Sequence, residues 1–66
     1  MNSIGFKIKK LREHKNLSQE DLAFRLDTTQ SNLSKIENGQ IDKINFMLMQ
    51  KVCKIFDIKP DYFLRG

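Results

Sequence analysis

A chain of 66 residues with twelve Lys and Arg against eight Asp and Glu carries a formal charge of +4, an excess that favours a polyanionic partner without naming it. That length admits one domain at most (residues 1–66), and its core is marginal, because ordering each residue costs about 1.5 kcal/mol and apolar burial only just offsets it. A single cysteine, Cys53, excludes an internal disulfide, and the chain has neither a secretory h-region nor an apolar run long enough to span a membrane, so it reads as reduced, cytoplasmic and without a membrane partner.

Nowhere do Val, Ile and Thr alternate with polar residues, so no strand is expected. Short, punctuated helices are expected instead. The first runs from Ser3 to His14, with Ile4, Ile8 and Leu11 on one face and Lys7, Lys9, Lys10 and Arg12 on the others. The three lysines read as a solvating face, and His14 sits where a cation favours the helix dipole.

The second helix carries the clearest start signal. Ser18 is its N-cap, Asp21 stands where a short capping box would close, and Leu17 and Leu22 form a hydrophobic staple. Ala23 and Leu26 continue its buried face, and it stops near Asp27. Thr29 caps a third helix that ends at Asn38-Gly39, with Gly39 free to turn left-handed. Asn45 caps a fourth, "FMLMQKVCKIF", whose apolar stripe is Phe46, Met49, Val52, Cys53 and Phe56. After Pro60, "DYFL" predicts one last short helix. The expected fold is all-α, five helices joined by short turns.

The third helix is the unusual one. Only Leu33 and Ile36 are apolar, so at about 100° per residue Gln30, Ser31, Ser34 and Lys35 face away from the core. An amide, hydroxyls and an ammonium are the groups that pair with base edges in a DNA major groove. The second helix ends two or three residues before the third begins, which is the spacing of a helix-turn-helix.

"LSQEDLAFRLDTTQSNLSKIENG" resembles the helix-turn-helix of the XRE-type family, which includes Cro and the lambdoid phage repressors. The likeness continues through Phe46, Val52, Phe56 and "PDYFL" and reaches back to "IGFKIKKLRE", nearly the whole chain. It implies a compact lambda-repressor-like domain that binds double-stranded DNA. Gln30, Ser31 and Lys35 match base-reading positions. Asn32 matches one often on the backbone or at the edge of base readout, and is grouped with them as a residue that supplies the sequence choice. Gln19 matches a glutamine that contacts a phosphate and braces the first reading residue. Asn38, Gly39 and Gln40 match a loop whose amides and side chains meet phosphate, with Lys43 just beyond. Arg12 and Glu37 match a pair that is a buried ion pair in some members. The sequence departs from the family at Asp27 and Asp57, where glycine is common. Both positions call for positive φ, at about 1 kcal/mol each.

Phe6, Leu48 and Ile55 lie off the apolar stripes. With Tyr62 and Phe63 they suggest a patch that a second copy covers, and the resemblance implies a homodimer through the C-terminal helices. Cys53 reads as a small buried hydrophobe, and one His and one Cys without ligand spacing give no metal site and no cofactor. Paired carboxylates, a phosphate-cradling glycine loop and a nucleophile–base pair are all missing, which argues against an enzyme. The leading expectation is a repressor-like dimer on a pseudo-palindromic operator. The alternative is a protein-interaction module such as an antitoxin, or the DNA-binding head of a longer regulator.

Overall fold

The computed structural model describes residues 4–41 and 44–64. In chain order these form α1 (Ile4–His14), α2 (Gln19–Arg25), α3 (Gln30–Glu37), α4 (Phe46–Phe56) and a short 3-10 helix (Pro60–Leu64), with no strand among the described residues. Ser3, the expected start of α1, lies outside them.

Three helices begin on a side-chain cap. Ser18 Oγ accepts from the Asp21 amide at 3.0 Å, Thr29 Oγ1 from the Asn32 amide at 3.0 Å, and Asn45 Oδ1 from the Leu48 amide at 2.7 Å. Each cap satisfies one amide that the helix itself leaves without a partner. The expected capping box forms only by half. Aspartate is a methylene shorter than glutamate, and among the described residues no bond returns from Asp21 to the Ser18 amide.

All four α-helices end alike. A left-handed residue, Asn16 (φ 58°), Asp27 (58°), Gly39 (81°) or Asp57 (55°), closes each one. The next amide then reaches back five residues: Leu17 to the Arg12 carbonyl at 3.0 Å, Thr28 to Ala23 at 2.9 Å, Gln40 to Lys35 at 2.9 Å and Ile58 to Cys53 at 3.0 Å. This is the Schellman ending, and it favours glycine because an L side chain crowds the left-handed backbone. Asp27 and Asp57 were expected to need positive φ. Asn16 was not foreseen.

The expected fifth helix is a 3-10 turn. Proline contributes no donor at its start, and the Tyr62 amide bonds to the Lys59 carbonyl at 2.9 Å, three residues back. Its purpose is to bring Phe63 into the core. There Phe63 joins Ile8, Leu22, Ala23, Leu26, Leu33, Ile36, Val52, Cys53 and Phe56, with its ring edge-on to Tyr62 at 5.3 Å. Phe63 is therefore largely spent inside its own chain, contrary to its expected place in a dimer patch. Leu48 and Ile55 are half-buried against the same core rather than off it. Phe46 is corrected in the other direction. It was expected on the buried stripe of α4 but is 70% exposed, because side chains lean toward a helix's start and Phe46 is the first residue of its helix.

Gly5 was passed over in the sequence, yet it sets how α1 meets α3. It is buried, and a β-carbon there would fall on the Ile36 carbonyl oxygen and come within 2.7 Å of its carbon and 3.3 Å of the Glu37 α-carbon. Backbone can approach backbone this closely only at glycine. The readable signal was a glycine placed early in a helix, where it costs about 1 kcal/mol relative to alanine and so needs a reason.

Two outcomes follow for chemical or thermal unfolding. Gly5→Ala should lower stability by about 1–3 kcal/mol, because α1 must back away from α3. Asp57→Gly should raise it by about 0.5–1 kcal/mol by relieving the left-handed strain.

Candidate nucleic-acid interface

The third helix is held from behind by a buried carboxylate. The Glu37 side chain is 1% exposed and receives the Arg12 guanidinium as a fork, Nε to Oε2 at 2.8 Å and Nη2 to Oε1 at 3.1 Å. The remaining guanidinium arm, Nη1, donates to the Leu17 carbonyl at 2.8 Å, and Gln19 Nε2 donates to Glu37 Oε1 at 3.0 Å. A buried charge is tolerated only when its lone pairs are filled, and among the described residues no buried side-chain polar atom lacks a partner. One carboxylate thus joins α1, the α1–α2 connection, α2 and the end of α3.

The opposite side of α3 is open. Gln30, Ser31 and Lys35 are exposed and Ser34 is half-exposed. One turn further on, Asn38 is exposed too, and its amide nitrogen lies 3.5 Å from Ser34 Oγ. The side chains on this face make few contacts with their own chain, so their amide, hydroxyl and ammonium groups remain available to a partner. Asn32 is placed differently. It is half-buried on the flank toward the α2–α3 turn, and its side-chain nitrogen donates to Thr28 Oγ1 at 2.9 Å. It is less exposed than Gln30, Ser31 and Lys35, with which it was expected to read bases.

Residues 8–63 match the profile of the helix-turn-helix family. The chain belongs to the XRE-type, Cro and lambda repressor-like, helix-turn-helix family. No curated protein matches the sequence. The family consists of DNA-binding regulators, usually without enzymatic activity, and α2 and α3 are the pair that gives it its name. No described helix is long and apolar enough to cross a membrane.

Two of the implied backbone contacts involve groups that already bond within the chain. Gln19, matched to a phosphate-binding and bracing glutamine, gives one amide hydrogen to Glu37. In the loop after the helix-turn-helix, the Gly39 amide bonds to the Ile36 carbonyl at 3.1 Å, and the Gln40 and Ile41 amides bond to Lys35 at 2.9 and 3.3 Å. The helix ending uses those amides, while the side chains of Asn38 and Gln40 are exposed. Lys43 lies outside the described residues.

Two of the residues expected between copies line shallow grooves. Leu48 lines a shallow groove with Leu26, Asp27 and Thr28, whereas Tyr62 lines another with Lys10, Leu11 and His14. Tyr62 is also held to α1, where its carbonyl accepts from Lys7 Nζ at 3.3 Å and the same ammonium stands 5.6 Å from the ring centre. Lys10 lies 5.2 Å from the centre of the Phe6 ring, so part of the α1 lysine cluster is engaged with aromatic faces rather than only solvated. Cys53 is buried, and that burial pushes its thiol up from the ordinary range, away from nucleophilic chemistry.

The buried fork predicts an asymmetry. Glu37→Ala leaves the Arg12 cation uncompensated and should cost about 3–5 kcal/mol of unfolding free energy. Arg12→Met with Glu37→Leu should cost much less, because both charges leave together. Urea titration of the single and double variants checks the difference.

Proposed function

We propose that the chain is a sequence-specific regulator that binds double-stranded DNA as a homodimer, in the manner of a repressor, with α3 in the major groove. The observation that carries this reading is the exposed face of Gln30, Ser31 and Lys35 on a helix whose other side is fixed by a buried ion pair. A reading helix must present donors and acceptors in a fixed frame, and this one has both the groups and the frame. The formal charge of +4 supplies sequence-independent attraction to phosphate. Gln19, Asn38, Gln40 and Lys43 serve the backbone in this reading and set the register.

The second copy would join along α4 and the C-terminal turn, with Leu48, Ile55 and Tyr62 contributing apolar area. Two α3 helices about 34 Å apart would then enter successive major grooves of a pseudo-palindromic site. A second reading, a module whose main partner is another protein, draws on Phe24, which is 86% exposed on α2. Salt-dependent binding to one DNA site by two chains favours the first reading over the second.

Site selection from a random DNA pool, followed by titration on matched and single-base-altered sites, gives the decisive test. Lys35→Ala should weaken the preferred site by about 1–3 kcal/mol and relax the choice at one base pair, since lysine donates to guanine O6 and N7. Gln19→Ala should weaken all sites by a similar factor. An unchanged base preference in Lys35→Ala would remove α3 as the reading surface. Sedimentation that finds a single chain, both free at high concentration and on the selected site, would remove the dimer.

A further inference from the structure

Asn32 and Thr28 form a link that the outward face of α3 does not use. Thr28 is the residue after left-handed Asp27, and its amide is bonded to the Ala23 carbonyl of α2 at 2.9 Å. Its hydroxyl accepts from Asn32 Nδ2 at 2.9 Å in a partly buried setting, while the Asn32 amide is capped by Thr29 Oγ1 at 3.0 Å. Thr28 is therefore tied to α2 by its backbone and to α3 by its side chain. Both residues line the shallow groove, of about 220 Å³, in which the turn meets Leu48 and Lys51 of α4. The turn has an aspartate where a glycine would relax it, so its conformation needs outside support.

We propose that Asn32 is a positioning residue. Its bond to Thr28 fixes how α3 leaves the turn, and it contacts no base itself. The inference rests on the reading of α3 as the DNA-reading helix. A helix that reads base edges must be held to within about 0.5 Å of its productive placement. The Asn32–Thr28 bond joins the turn to that helix from side chain to side chain, one residue before the Thr29 cap.

The test compares Asn32→Ala, Thr28→Val, Thr28→Ser and the Asn32→Ala/Thr28→Val double variant on the selected site and on its single-base variants. Circular dichroism first establishes that each protein is fully folded under the binding conditions. Asn32→Ala and Thr28→Val should each weaken every site by the same factor, about five- to tenfold, the size of one neutral hydrogen bond. The double variant should be no weaker than either single one. Thr28→Ser, which keeps the hydroxyl, should bind like the parent. A change in preference at one base pair with Asn32→Ala, or a silent Thr28→Val, overturns the inference, and so do additive losses in the double variant. If the parent protein itself shows no preference among DNA sites, the DNA reading fails and takes the inference with it. If the parent discriminates and only the Thr28 and Asn32 results depart from expectation, the inference alone fails.

Discussion

The Glu37 carboxylate sits at the end of α3 with its side chain 1% exposed, and its burial costs several kcal/mol before any partner is counted. A core of this size has little stability to spare, so a lone charge there would be prohibitive. The chain answers with a fork from Arg12 and an amide from Gln19, and Arg12 in turn satisfies the Leu17 carbonyl. Arg12, Leu17, Gln19 and Glu37 come from α1, the α1–α2 connection, α2 and the end of α3. Apolar contacts among short helices allow sliding and rotation at small cost, whereas a planar guanidinium on a carboxylate does not. The network therefore fixes directions that the hydrophobic core leaves loose.

The same end of α3 is gripped from a second side. Gly5 brings the α1 backbone against the Ile36 carbonyl, one residue from Glu37, so close approach and ion pair act on adjacent residues. Neither would suffice alone. A close backbone contact sets distance without setting rotation, and a side-chain fork sets rotation while its stem can still flex. Together they hold the helix from behind and leave its front unencumbered. Of the residues on that front, Gln30, Ser31 and Lys35 take no part in the core. They can be exchanged with little effect on the fold that presents them.

The sequence made the helices legible because their punctuation is local. Ser18, Thr29 and Asn45 are caps whose bonds reach only three residues ahead, so spacing alone identifies them. Features that depend on distant partners were harder to read. Gly5 answers to Ile36, and no local pattern says which backbone a helical glycine will meet. Phe46 fits the period of the α4 stripe, but a period says nothing of whether the core extends to the first turn. Phe63 looked like surface because a short C-terminal turn gives no face of its own. The Arg12–Glu37 pair was readable only through the family resemblance, since neither residue's neighbours in sequence distinguish a buried charge from a solvated one.

Asn32 shows the limit most clearly. A helical wheel places it roughly midway between the buried and outward faces of α3, where periodicity assigns no role. Its side chain takes the inward option because Thr28 offers a hydroxyl at hydrogen-bond distance, and Thr28 is there because the turn at Asp27 carries the chain back across α2. A residue on the flank of a helix thus takes its side-chain partner from the turn before it. The loop after α3 is similar, where the Gly39 and Gln40 amides close the helix and the side chains of Asn38 and Gln40 stay exposed. In both places a hydrogen bond made within the chain removes a group from the list of those that can meet DNA. Counting which polar groups the fold has already used delimits the groups open to a partner more sharply than the pattern of polar residues does.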